Sequence, residues 1–265
     1  DRLRSRGLGD VYKRQAIRKA DRVILAGDHC QLPPTVKCPQ SVRGGLGHTL
    51  MQSIVKNKPE TVSLLTLQYR MNDEIMRFSS DWFYDGRLQA APEVKYRGIL
   101  DYDTAIEWVN TEGMDCNEEF VGESYGRINK AEAELSVGKL KDYIQKIGKE
   151  RFLDERIDIG LISPYKAQVQ YLRGLIRRDA FFKPYRQAIT VNTVDGFQGQ
   201  ERDVIIISLV RANEEGNIGF LNDLRRMNVA MTRARMKLVI MGDASTLTKH
   251  AFYRKLFDYI TELNG

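Results

Sequence analysis

The chain has 265 residues, 42% of them hydrophobic and 29% charged, which is enough for one large or two small domains with real cores and too apolar for a disordered tail. No run approaches the roughly 18 apolar residues that span a bilayer, and the start lacks the basic, apolar, small-residue order of a secretory leader, so a soluble cytoplasmic protein is expected. Cys30, Cys38 and Cys116 form no C-x-x-C pair and are too few for a disulfide framework, which fits a reducing compartment.

The net charge of +6 points to a polyanionic partner, but half of that excess comes from residues 1–15, "DRLRSRGLGDVYKRQ", with five basic and two acidic side chains. This opening has no periodicity. It resembles an adapter-derived translation, the alternative being a natural basic arm, and it is set apart from the fold. From residue 16 short apolar runs alternate with amphipathic stretches, the pattern of an α/β domain on a mostly parallel sheet. Strands are expected at 22–26, 105–110, 157–163, 188–193, 204–210 and 237–241. The run 204–210 is apolar on both faces and should lie centrally. A helix is predicted from about Asp73, with Ile75, Phe78, Trp82 and Phe83 inward. Residues 86–125 read as loops around one strand. Ala133, Val137, Leu140, Ile144 and Ile147 step at helical spacing behind Asn129 and Glu132, which are spaced as a capping box. Further helices are expected from about Lys166, with Val169, Leu172 and Ile176 on one face, and over 251–263.

Four stretches carry chemistry. In "AGDHCQLPPT" at 26–35, Asp28, His29 and Cys30 are consecutive, so their side chains diverge in any regular structure. No second His or Cys follows at ligand spacing, and no metal site is expected. A cysteine nucleophile would need His48 or His250, and nothing in the sequence links either to Cys30. A ligand loop at the C-terminal end of a parallel strand fits better, with Pro33 and Pro34 stiffening its exit. In "LTLQYRMNDE" at 65–74, Tyr69 can stack on a nucleobase while Arg70 reaches a phosphate; alternatively Tyr69 edges the core and Arg70 makes a surface ion pair. "VNTVDGFQGQERDVIIISLVRAN" puts Gly196 and Gly199 before the central strand, where backbone can approach a ligand, with Gln198 and Glu201 suited to a ribose or phosphate. In "LNDLRRMNVAMTRARMKLVIMGD" a short helix turns Leu224, Met227 and Met231 inward. Arg226 and Arg233, seven apart, should share a face able to meet a bound phosphate, or simply form a solvated basic face.

In this order, "GDHCQLPP", "QYRM", "VDGFQGQERD" and "NVAMTRAR" resemble motifs III, IV, V and VI of superfamily 1 helicases. The likeness is strongest to the 5′-to-3′ subgroup of the nonsense-mediated-decay helicase, senataxin and the immunoglobulin mu-binding helicases. It runs from about Ala16 to the end, and "GGLGHTLMQSI", "FYDGRL" and "ISPYKAQV" look like the intervening blocks. The resemblance implies a RecA-like P-loop NTPase fold, ATP and Mg²⁺ as cofactors, and single-stranded DNA or RNA as partner. Gln31 would sense the γ-phosphate, Tyr69 stack on adenine and Arg70 bind the γ-phosphate. Gln198 and Gly199 would line the pocket, with Arg226 nearby; Glu201 would hold the ribose and Arg233 act as arginine finger. Ser163, Pro164, Tyr165 and Thr193 resemble positions that track a single strand, through phosphate-led, sequence-tolerant contacts.

A G-x-x-x-x-G-K-[ST] loop, and an acidic pair on a strand to hold Mg²⁺, occur nowhere in the 265 residues. The chain therefore reads as residues 16–60 closing a first RecA-like domain and residues 61–265 forming the second, with the Mg²⁺ ligands upstream. It is expected to be monomeric, and inactive as an ATPase without the missing first domain. The rival reading is a non-catalytic single-strand-binding or protein-docking module on the same fold; retention of Gln31, Arg70, Glu201 and Arg233 speaks against it.

Overall fold

The computed structural model describes residues 19–33, 49–122 and 126–265. The opening segment 1–15, Pro34, Cys38 and His48 lie outside the described residues. The chain divides into two compact units, Asp1–Leu64 and Leu65–Gly265.

In the first unit the expected strand at 22–26 does not form, and Ile24 is 91% exposed. An apolar run without a neighbouring strand has nothing to satisfy its backbone or cover its side chains. Amide hydrogen exchange at Ile24 and Leu25 should accordingly run at near-unprotected rates; strong protection there would refute this arrangement. The next residues turn sharply. The Asp28 carbonyl accepts from Gln31 N at 3.3 Å, while its carboxylate accepts from Cys30 N at 2.9 Å and from Gln31 Nε2 at 2.8 Å. Helix α1, Leu50–Asn57, starts from a true capping box: Thr49 Oγ1 accepts from Gln52 N, and Gln52 Oε1 accepts from Thr49 N.

The second unit is built on a five-stranded sheet in which every pairing is parallel, in the order β3-β9-β8-β6-β7. These strands are β3 (Ile106–Asn110), β6 (Ile159–Ser163), β7 (Ile189–Thr193), β8 (Arg202–Ser208) and β9 (Ala234–Gly242). The doubly apolar run 204–210 supplies β8, the middle strand, as its composition requires. Period-two alternation divides it: Val204 and Ile206 join the core under α4 (Lys130–Ile147), α5 (Lys149–Asp154) and α6 (Lys166–Arg178), and Ile205 and Ile207 face the other way. On that second side are α2 (Asp73–Phe83), α7 (Leu224–Met231) and α9 (Ala251–Asn264), with Phe252 edge-on to Phe78 and Trp82, and Trp108 edge-on to Phe257. The architecture is α/β, as read from the alternation of runs.

Residues 86–125 hold more than loops around one strand. Beside β3 they carry β2 (Gln89–Ala90), paired in parallel with β1 (Leu67–Gln68), a single helical turn α3 (Pro92–Lys95), and β4 (Glu119–Val121), antiparallel to β5 (Gly126–Ile128). These pieces are too short for hydrophobic periodicity to reveal, and long-range pairing fixes them. A short helix α8 (Ala244–Leu247) follows β9.

Candidate functional site

Because all five strands run the same way, their beginnings lie on one edge of the sheet and their ends on the other, and the singled-out residues divide between the two.

At the beginnings, Gln68 folds back so that its Oε1 accepts from the N–H groups of Arg70 and Met71, and its Nε2 donates to Met71 O at 2.8 Å. That tight turn throws Tyr69 outward, 65% exposed, and sets Arg70 against Glu201 in an ion pair from Nε to the carboxylate. The other carboxylate oxygen of Glu201 accepts from Arg235 Nε at 3.0 Å, and Arg235 Nη1 also reaches Asp203 at 2.9 Å. Partial burial pushes Glu201 up, but its bonds to Arg70 and Arg235 outweigh this and hold it below the ordinary carboxylate range, so it stays ionised. Asp158 is held up by burial and by the charge of Asp203, whose carboxylate accepts from Asp158 N at 3.1 Å. Gln198 and Gly199 are exposed just before β8, and Gly199 takes φ +80°, a left-handed conformation natural to glycine.

Arg226 and Arg233 do not share a helix face. Helix α7 stops at Met231, so Arg233 falls in the connection to β9, 3% exposed, donating to Val229 O at 2.9 Å, Gln200 O at 3.0 Å and Thr232 Oγ1 at 3.2 Å. Arg226, in the first turn of α7, bonds Asp195 at 3.3 Å and stands over the Phe220 ring. Spacing of seven held only while the helix continued.

At the strand ends, Ser163 closes β6 fully buried, Thr193 closes β7 half-buried, and Pro164 is half-buried. Tyr165 is buried too. Its ring lies against Phe220, centroids 5.6 Å apart, and Phe220 is 57% exposed, so the open aromatic surface belongs to a residue that sequence reasoning passed over. Beyond β8, Val210 adopts φ +73°, a strained conformation for a β-branched residue. It is pinned from both sides: Val210 N donates to Glu132 Oε1 at 2.9 Å, and Val210 O accepts from Asn129 Nδ2 at 3.3 Å. The same Glu132 oxygen accepts from Ser208 Oγ at 2.6 Å. The capping box read at Asn129 and Glu132 therefore forms only by half. Asn129 Oδ1 accepts from Glu132 N at 3.0 Å, while the Glu132 carboxylate turns inward to the end of β8. Full burial lifts Glu132 to about 7 against the opposing bonds from Ser208 and Val210.

Asp28, His29 and Cys30 do not diverge as consecutive residues would in regular structure. The turn brings one ligand atom of each within 4.8 Å of the others, the one such three-residue group among the described residues. One carboxylate, one imidazole and one thiol do not make the oxygen set that Mg²⁺ takes, and the Asp28 carboxylate already holds the turn.

A parallel sheet with helices on both sides and a polar cluster at one edge is an α/β fold, and the family match places it among folds of the P-loop NTPase kind. The chain belongs to the AAA-domain family, whose model matches residues 46–245, and it is related to superfamily 1 helicases. It is 37% identical over 256 residues to an uncharacterized ATP-dependent helicase of Methanocaldococcus jannaschii, covering 91% of this chain and 35% of that protein. It is 38% identical over 251 residues to the DNA polymerase alpha-associated DNA helicase A of Saccharomyces cerevisiae, covering 86% and 35%. A regulator of nonsense transcripts 1 homolog from Drosophila melanogaster is 36% identical over 247 residues, covering 91% and 20%. The chain thus spans about a third or less of these relatives' length. No helix among the described residues is long and apolar enough to cross a membrane.

Proposed function

We propose that this chain is the part of an ATP-dependent nucleic-acid helicase that carries the second RecA-like domain, acting in the soluble interior of the cell as a monomer. The observation that carries the reading is the edge where Tyr69, Arg70, Glu201 and Arg235 meet. Its donor set suits a nucleotide: an exposed ring for the base, a half-exposed guanidinium for phosphate, an ionised carboxylate for ribose hydroxyls, and Gln198 and Gly199 exposed just before β8. ATP supplies the phosphoryl group whose transfer to water drives the motor. Tyr69 orients the base, Arg70 exchanges Glu201 for the γ-phosphate, and Glu201, still held by Arg235, receives the ribose. Arg233 leaves its carbonyl partners to steady the charge that develops on transfer. Gln31, in the first unit, senses the γ-phosphate, the role that its motif's resemblance implies. Pro164 and Thr193, half-buried at the opposite edge, guide a single strand of DNA or RNA, with the buried Ser163 and Tyr165 positioning that edge from beneath, so that closure of two domains on ATP and their release after hydrolysis step the strand. No metal step is assigned, because the described residues hold no set fitted to Mg²⁺; its ligands belong to the first domain.

ATP turnover by the purified 265-residue chain should be indistinguishable from background. Turnover at a helicase's rate, abolished by Arg233→Ala, would overturn the view that half the cleft lies in a separate domain.

A further inference from the structure

We propose that Phe120, on β4, is a stacking platform for an unpaired base of the single strand, an extension that rests on the strand-tracking reading of the sheet's C-terminal edge. Phe120 is 65% exposed although it sits in a paired strand, directly opposite Arg127 of β5. The Arg127 guanidinium lies 3.9 Å from the ring centroid, so one face of the ring is braced by a fixed cation and the other is open. That cation cannot drift: Arg127 Nη1 donates to Glu118 at 2.6 Å, and both side chains are largely buried.

Glu118 ties the hairpin to the strand edge. Its carboxylate accepts from Ala212 N and Asn213 Nδ2, each at 3.3 Å, and lies 2.8 Å from Arg211 Nε, too misaligned for a hydrogen bond and therefore an ionic contact. Arg211 in turn donates from Nη1 to Tyr165 Oη at 3.5 Å, and Tyr165 backs the exposed ring of Phe220. One relay thus joins two outward rings, Phe120 through Arg127, Glu118 and Arg211 to Tyr165 and Phe220. Along β4 Phe120 stands between Glu119, paired with Lys130 at 2.9 Å, and the exposed Val121, and Arg127 lies beneath the ring. Among the described residues, one ring braced by a cation with Val121 beside it does not make the contiguous apolar patch of a protein interface. It has the composition of a sequence-tolerant single-strand platform, an aromatic face beside cations.

The test compares binding of the whole chain to fluorescent 20-nucleotide oligothymidylate and to an abasic oligomer of equal length, at low salt. The wild type should bind oligothymidylate more tightly. Phe120→Ala should weaken that binding on the order of 10-fold, leave abasic binding and its salt dependence unchanged, and keep the wild-type melting temperature; Phe120→Trp should restore affinity. Wild-type affinity in Phe120→Ala, or equal weakening on both oligomers, overturns the platform and leaves the strand-tracking edge standing. Failure of the wild-type chain to bind either oligomer overturns that edge, and the platform with it.

Discussion

Arg233→Ala is expected to lower ATP turnover by ~10³- to 10⁵-fold in the longer protein whose phosphate loop completes the cleft, the range over which a finger arginine accelerates phosphoryl transfer. The structure makes the experiment more demanding than the motif alone suggests. The guanidinium is buried against Val229 O, Gln200 O and Thr232 Oγ1, so its removal also leaves polar groups at the end of α7 without their donor, at a cost of about 1–3 kcal/mol. Two controls separate the roles. Arg233→Lys retains the charge but lacks the planar fork, and a true finger should still lose most of its rate while KM for ATP changes little. A loss of turnover that follows the loss in melting temperature, and returns when the assay is cooled, would make Arg233 a structural residue and pass the role to another arginine of that edge, Arg70 first.

The second large effect concerns stability. Glu132 is fully buried and lifted from 4.5 to about 7, with Oε2 lacking any hydrogen-bond partner. Between those values the folded chain holds a proton that the unfolded chain releases, so each step up in pH favours unfolding. The contribution is intact below 4.5, is lost as pH rises through about 7, and amounts to about 3 kcal/mol in all. Glu132→Gln keeps an acceptor for Ser208 Oγ and Val210 N but cannot ionise. It should match the wild type at pH 5, melt roughly 6–10 °C higher at pH 8, and flatten the stability profile between. Parallel wild-type and variant profiles from pH 5 to 8 would show that Glu132 does not titrate in this window.

Both predictions turn on residues whose type was legible and whose setting was not. Asn129 and Glu132 announced a helix start, and the helix is there. The Glu132 carboxylate nevertheless abandons the cap because the end of β8, 76 residues away in sequence, offers Ser208 Oγ and Val210 N. Arg226 and Arg233 looked like one helix face until α7 ended between them. Phe220 and Phe120 gave no periodic signal, since each is exposed and its neighbours in space come from elsewhere in the chain.

The sequence by itself determined the alternation of strands of a mostly parallel sheet with amphipathic helices, the central place of the doubly apolar run and the kinship carried by four ordered motifs. Those features follow from local periodicity and short-range turn chemistry, which a linear reading contains. Only the tertiary structure decided that Arg70 and Arg235 share Glu201, that Arg233 is sheathed in carbonyls, that Glu132 is buried, and that the run 22–26 stays unpaired. Each depends on which distant segments meet, and in a parallel sheet every such meeting spans a crossover that no local pattern encodes.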